Sequence, residues 1–422
     1  MKNFYLNRFG IGDELISAPI NQEVSTIVVI PSFSEPNIVD AVKSLVRSVI
    51  SPKKFEIIIV INHGENAADN DKKQNLESEE ALRTFISSDS AEIPIHIVIQ
   101  YDMPNKHAGV GLARKLGMDE AVRRFGQINK PEGLILCFDA DCDCSSGFLS
   151  IIDDFFRVNR KVNACSIHFE HRLDDKETSN ENREAIIDYE LHLRYYLNAL
   201  RWSGHPYAYH TIGSSMAVRS LEYQKAGGMN RKKAGEDFYF LQKIIPNGNF
   251  ADISEAVVYP SARASHRVPF GTGKAVADIL KNEKQFFETY SIEVFRELKS
   301  FFGSTDLFFN KSEEELCELL SMVPLMIQFL TECSGIRAIA EISNQVASKA
   351  QFTNRFFRYF NLFKTLKYVH FATENKFPKV NVQLAAAKLL TMTEEVYFSD
   401  NYSLLMNYRN IDKGIKKPLT TE

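Results

Sequence analysis

The chain has 422 residues, with 50 Lys and Arg against 54 Asp and Glu for a net charge of −4. Balanced charge excludes the clustered basic surface that phosphate-backbone binding needs, so nucleic acid is not an expected partner. Hydrophobic residues at 44% and charged residues at 25% exclude a disordered chain, and the length predicts two or three domains.

The N-terminal MKNFYLNRFGIGDE has no apolar run of the kind that directs secretion. The β-branched run 25–30 (STIVVI), stopped by Pro31, predicts a buried strand. Apolar residues at 38, 41, 42, 45, 46 and 49 then predict a helix with Pro36 in its entry turn. A second strand is expected at 55–61, a loop over the polar stretch 62–80, a short helix at 81–87 and a third strand at 95–99. Residues 109–124 predict a helix, and 133–138 (GLILCF) a fourth strand ending at Asp139. Four strand–helix alternations predict an α/β fold with a mostly parallel central sheet flanked by helices. Such sheets bind ligands beyond the carboxyl ends of their strands. That directs attention to 31–35, 62–65, 100–107 and 139–143.

From about residue 290 the pattern turns to long helical periods, at 313–328, 336–349, 356–371 and 382–397. The expected division is an α/β domain at 1–289, in the parts 24–145 and 146–289, then a helical domain at 290–422. The stretch 351–371 interleaves eight Phe or Tyr residues with Arg355, Arg358, Lys364 and Lys367. Such a helix either lies on a membrane surface or packs its aromatic face against its own protein or a second copy in a homodimer. The apolar run 322–330 is interrupted by Pro324 and Gln328, far short of the roughly 20 residues that span a bilayer. Six cysteines without a CxxC pair fit a reducing cytoplasm.

The densest chemistry is Asp139-Ala140-Asp141-Cys142-Asp143. In an extended segment, side chains at i and i+2 share a face, so Asp139 and Asp141 converge and repel unless a cation lies between them. Mg²⁺ or Mn²⁺ prefers such oxygen ligands and commonly shares them with substrate phosphates. An EF-hand loop is excluded because Cys144 and Ser150 stand where Gly and Glu are needed. An aspartyl-phosphate phosphatase is excluded because its DxD would follow the first strand.

Four segments fall in one order: VVIPSFSEPN (28–37), HAGVGLARKLG (107–117), CFDADCD (137–143) and AGEDFYFLQKI (234–244). Together they resemble a family 2 glycosyltransferase of the GT-A fold over roughly residues 24–275. The resemblance implies transfer of a sugar from a nucleotide-diphosphate donor, a UDP-sugar first among them, to a hydroxyl on a glycan, lipid-linked or small-molecule acceptor. It implies Mn²⁺ or Mg²⁺ as cofactor, and a bacterial polysaccharide or surface-glycan pathway as the commonest setting. The cysteine usage places the enzyme in the cytoplasm, and the aromatic and basic stretch 351–371 makes peripheral contact at the inner face of the membrane an option.

Carried over by position, Pro31, Phe33 and Glu35 would cradle the nucleotide, with Glu35 on a ribose or base edge. Alternatively, Glu35 is a first-turn acid favoured by the helix dipole. Asn62-His63-Gly64 stands where the family commonly has Asp-Asp-Gly, so Asn62 would read the base with a donor as well as an acceptor, or the three residues form an ordinary turn built on Asn and Gly. Lys106, Gly109 and Arg114 would approach the diphosphate. Asp139 and Asp141 would hold the metal, Ala140 would line the donor site, and His266 would be the last metal ligand. Arg267 and Lys274 would neutralise the leaving diphosphate.

Asp237 would be the general base, with Glu236 orienting it or touching the acceptor, although capping of a first turn also explains this pair. Trp202, the only tryptophan, and His205 and His210 are either pocket or core residues. A single displacement would invert the anomeric centre. A retaining relative, or a GT-A module that binds without turnover, is the alternative.

Overall fold

The computed structural model describes residues 3–88, 92–173, 179–263, 271–281, 287–392 and 400–416. The chain divides into two compact units, Met1–Asn182 with His210–Asp278, and Arg183–Tyr209 with Ile279–Glu422.

The first unit holds strands β1 (Thr26–Ser32), β2 (Phe55–Gly64), β3 (Ile95–Met103), β4 (Leu134–Cys137), β5 (Asp143–Cys144), β6 (Ala164–Phe169), β7 (Met216–Arg219) and β8 (Phe250–Tyr259). They form one sheet in the order β3-β2-β1-β4-β7-β6-β8-β5. The pairs β3–β2, β2–β1, β1–β4 and β6–β8 are parallel, while β4–β7, β7–β6 and β8–β5 are antiparallel. This is the helix-flanked, mostly parallel α/β sheet expected of the GT-A arrangement. Strands β1 and β4 are buried along their whole length, which is why they read as unbroken apolar runs. The order reverses at β1, whose successors in sequence lie on one side while β4 lies on the other, so a crevice opens beyond the carboxyl ends of β1 and β4.

Helices of this unit are α1 (Phe4–Phe9), α2 (Ile38–Arg47), α3 (Asp69–Ser87), α4 (Val110–Gln127) and α5 (Phe148–Val158). After α6 (Asn180–Trp202), which lies mainly in the second unit, come α7 (Ser220–Lys225), α8 (Glu236–Ile244) and α9 (Thr272–Lys281). Helix α4 is strapped by the chain's first residues. Ile11 N–H donates to Asp119, Leu15 and Ile16 N–H donate to Glu120, and Arg123 and Arg124 donate to the carbonyls of Ile11, Gly12 and Ala18. These contacts read backbone and so leave no mark in apolar periodicity.

Two expectations need correction. The stretch 62–80 is not all loop, because α3 begins at Asp69. Its buried face is Asn75, Ser78 and Leu82, mostly polar, so apolar spacing could not reveal it. Asn75 accepts from Ser34 N–H at 2.8 Å and donates to the Asn62 carbonyl at 3.0 Å, and Ser78 donates to the Glu35 carbonyl at 2.8 Å. The helix thus docks by hydrogen bonds onto the loops after β1 and β2. Second, 139–143 is not extended. Cys142 N–H donates to the Asp139 carbonyl at 3.1 Å, closing a turn around Ala140 and Asp141. The period-two argument for a shared face therefore does not apply. Asp143 instead opens β5 opposite Tyr259 and pairs with Arg172.

The second unit contains β9 (Glu288–Thr289), paired with β10 (Val380–Asn381), and helices α10 (Ile292–Gly303), α11 (Glu313–Leu319) and α12 (Pro324–Glu332). It continues with α13 (Gly335–Asn344), α14 (Lys349–Tyr359), α15 (Leu362–Asn375), α16 (Val382–Thr391) and α17 (Asn401–Asp412). The expected helix at 313–328 is two, because Pro324 cannot continue a helix but starts one well. The stretch 351–371 is also two helices. The chain breaks at Phe360, and Asn361 caps the next helix by accepting from Lys364 N–H at 3.0 Å.

Phe352, Phe356 and Phe360 are fully buried, with Phe360 4.9 Å from Phe301, so the aromatic face is core. Trp202 and His205 belong to the same unit. Trp202 is buried with Lys299 Nζ 4.2 Å over its ring, and His205 packs on Phe302 and Phe357, its pKa pushed down by burial to about 4. Among the described residues, no helix is long and apolar enough to cross a membrane.

Candidate active site

Arg114 lies near the start of α4 with its side chain 2% exposed. A buried guanidinium needs acceptors on several sides, and this one finds three. Its Nε donates to Glu236 at 3.1 Å, Nη1 to the Gly213 carbonyl at 2.5 Å, and Nη2 to Asp139 at 3.0 Å. One side chain therefore joins three of the four segments singled out along the sequence, the glycine-bearing helix start, the acidic turn after β4 and the acidic start of α8, and ties them to the turn at Gly213. All three of these bonds are to the chain's own groups.

The glycines around it serve this assembly. A Cβ at Gly111 would lie 2.2 Å from the Lys232 carbonyl oxygen, and one at Gly109 2.8 Å from Lys233 Cα. Backbone does approach these glycines, but it is the chain's own 230–233 loop, which Asn230 ties to α8 by donating to the Glu236 carbonyl at 2.9 Å. A Cβ at Gly213 would lie 2.7 Å from Arg114 Nη2 and 3.0 Å from its Cζ. The guanidinium is held by three acceptors and cannot yield. Gly213→Ala is therefore expected to cost about 1–3 kcal/mol and to lower kcat by roughly tenfold through a displaced Asp139 and Glu236. Thermal melts and steady-state kinetics check this.

Three carboxylates, Asp139, Glu236 and Asp237, share the single charge of Arg114. Burial works against the guanidinium's charge, but Asp139 and Glu236 more than offset it and hold it protonated. Burial pushes the Glu236 carboxyl up to about 7 against the pull of Arg114, with Asp237 and Asp139 adding to the rise. Burial also raises Asp237, again against Arg114, and Asp139 adds to it. Glu236 is buried, whereas Asp237 is partly exposed, with Oδ1 accepting from Phe238 N–H at 2.7 Å. The helix-capping role foreseen for an acid in this turn is thus present in Asp237. It engages one oxygen of the carboxylate.

The remaining expected residues fall in several places. Pro31 is buried within β1, which runs one residue past it to Ser32, Phe33 is half-buried, and Ala140 is buried in the acidic turn. Glu35 is 1% exposed, accepting from Asn37 N–H at 2.9 Å and pairing with Arg263. Asn62 is buried at the end of β2, next to His63, whose ring stacks on Tyr101 at 4.4 Å. Lys106 is exposed, and Lys274 on α9 is bonded to Asp278 at 2.6 Å. His266 and Arg267 lie outside the described residues. His210 packs edge-on against Phe169 at 5.0 Å.

For a divalent ion, Asp139 offers a carboxylate 35% exposed whose Oδ1 already accepts from Arg114, and Asp141 is half-buried on the same turn. Among the described residues no three His, Cys, Asp or Glu side chains gather as a ready cage. The fit is to an ion taking one or two protein oxygens and completing its shell from substrate phosphates and water, the usual habit of Mg²⁺.

Sequence reading passed over two residues at the β1 end of the crevice. The Ser32 hydroxyl is buried without a partner among the described residues. Arg263 comes from beyond β8. Ser32 lies inside the segment 28–37 but at a position to which no role was carried over, and Arg263 lies in none of the four segments. Only Ser32's place beside Pro31 at a strand end could have drawn notice.

No protein-family model matches the chain, and no curated protein matches it. Among solved structures, S. aureus TarS 1–349 in complex with UDP-GlcNAc aligns at 14% identity and a TM-score of 0.40, over 80% of this chain and 91% of that one. The mannosyltransferase PcManGT from Pyrobaculum calidifontis in complex with GDP-Man and Mn²⁺ aligns at 13% identity and a TM-score of 0.37, over 94% of this chain and 88% of that one. Scores this low give no residue a role, and the roles below come from this chain's own side chains.

Proposed function

We propose that the chain is a glycosyltransferase that moves a sugar from a nucleotide-diphosphate donor to a hydroxyl acceptor, a glycan or a lipid-linked molecule, with inversion. The observation that carries this reading is the Arg114 junction, which brings the carboxylate after β4 and the acidic pair of α8 to one guanidinium beside the switch-point crevice. Separately, DxD and Glu-Asp are common dipeptide-scale signals. Joined at the carboxyl edge of a parallel sheet, they supply a donor side and an acceptor side.

In this reading Asp237 takes the acceptor hydroxyl's proton as its oxygen bonds to the anomeric carbon and the bond from that carbon to the diphosphate oxygen breaks. Glu236, buried against Arg114, positions the start of α8. Asp139 and Asp141 would hold Mn²⁺ or Mg²⁺, which when bound offsets the charge developing on the leaving diphosphate.

The test is turnover across UDP-, GDP- and dTDP-sugars with Mn²⁺, Mg²⁺ or EDTA. One nucleotide series is expected to react, EDTA to abolish the reaction and added metal to restore it. Asp141→Asn, which leaves the Arg114 contacts in place, is expected to behave like EDTA treatment. Full turnover in EDTA and in Asp141→Asn would remove the metal from the mechanism. Absence of turnover and of binding with every donor would remove the transferase reading itself.

A further inference from the structure

Glu35 stands three residues beyond β1 and is almost wholly buried, yet its partner Arg263 comes from the other end of the unit's sequence. The path of the chain explains how the two meet. Tyr259, the last residue of β8, is paired with Asp143 directly after the acidic turn. Four residues later Arg263 reaches the loop after β1, a distance of at most roughly 14 Å of extended backbone. The segment between Tyr259 and Arg263 therefore runs from the acidic turn to Glu35, along the mouth of the crevice between β1 and β4. Cys144, on β5, also lies 3.5 Å from the Ser44 hydroxyl of α2.

Arg263 has more donors than Glu35 can use. Its side chain is 33% exposed, and only Nη2 is bonded to Glu35. Nε and Nη1 carry no partner among the described residues. A guanidinium pinned by one nitrogen, a third exposed and with two further nitrogens to offer, suits a bidentate phosphate. The buried Ser32 hydroxyl, also without a partner among the described residues, ends β1 three residues before Glu35 and supplies an independent sign that a polar ligand belongs there. Glu35, by contrast, is already occupied by Arg263 and the Asn37 N–H, which leaves it poorly placed to read a ribose.

We propose that Arg263 binds the diphosphate of the donor and that Glu35 positions it. The proposal rests on the nucleotide-sugar reading above. It moves Glu35 from nucleotide contact to support, and it adds a binding residue that no motif marked.

The experiment compares affinities for UDP, GDP and dTDP with those for uridine, guanosine and thymidine, in wild type, Arg263→Gln, Glu35→Gln and the double variant. Arg263→Gln is expected to weaken the bound nucleoside diphosphate by roughly 10- to 100-fold and leave its nucleoside unchanged. Because that variant strands a buried carboxylate, the double variant serves as control. Its thermal midpoint is expected to return toward wild type while diphosphate affinity stays low. Wild-type diphosphate affinity in the double variant, or equal losses for diphosphate and nucleoside, would show Arg263 to be structural and overturn the proposal. A selective loss of nucleoside affinity in Glu35→Gln would return Glu35 to the ribose and overturn its positioning role. Wild-type protein that binds none of the three diphosphates would remove the donor reading and this proposal with it, an outcome read on the unmutated chain and so distinct from the others.

Discussion

Asp237→Asn is expected to lower kcat by roughly 10²- to 10⁴-fold, the usual contribution of a positioned general base, with donor KM unchanged. The substitution keeps size and shape, and the amide oxygen can still accept from Phe238 N–H, so the fold survives. Removing one of three carboxylates around a single guanidinium also lessens their repulsion, and thermal stability should hold or rise. In the wild type, kcat/KM should climb with pH as the Glu236–Asp237 pair loses its shared proton, with an apparent midpoint near 7 that belongs to the pair and not to either residue. Stability should move the other way. The folded form holds a proton up to about pH 7 that an unfolded Glu releases near its ordinary 4.5, so stability falls as pH rises through that window. Paired rate and melting profiles from pH 5 to 8 test both signs. Full kcat in Asp237→Asn together with its loss in Glu236→Gln would hand the base role to Glu236.

Arg114→Met should be the most damaging change in the first unit. It removes the one positive charge that, among the described residues, is bonded to both Asp139 and Glu236 and leaves those carboxylates, with Asp237, facing one another. Breaking a buried ion pair from one side costs about 3–5 kcal/mol, on the order of 10 °C in melting temperature for a unit of this size. Arg114→Lys keeps the charge but places it on a single nitrogen, which cannot reproduce a fork bonded in three directions. It should recover part of the stability and little of the activity. In either variant the rising limb of the pH–rate profile should shift to higher pH, since the group that favoured ionised carboxylates is gone or displaced. A limb that does not move would mean Arg114 sets no electrostatics at this site.

The strand–helix alternation up to residue 138 is readable from sequence because β1, β2 and β4 are buried on both faces and so carry runs of four or more apolar residues. Helix α3 escapes that kind of reading because hydrogen bonds from Asn75 and Ser78, not apolar side chains, hold it in place. The acidic turn escapes it too, since a period of two presumes extension and one backbone bond from Cys142 cancels it. Motifs drew attention to Arg114, Asp139 and Glu236 one at a time. That they meet follows from β7 turning antiparallel against β4, which no local spacing announces. Arg263 is the extreme case, bonded to a residue 228 positions away and surrounded by no pattern.

The Arg114 junction also sets an order of events during synthesis. Asp139 emerges only 25 residues after the arginine, but Gly213 follows at 99 and Glu236 at 122. At roughly 5–20 residues per second, the nascent guanidinium waits on the order of ten seconds for its last partner. During that wait β1 to β4 can already form a four-stranded parallel sheet, while the residues of α6 are being added between it and the β7 strand that will extend it. Two of the three bonds that bury the cation thus come from chain made after that sheet. The chemistry of the crevice is assembled last, on a sheet that is already standing.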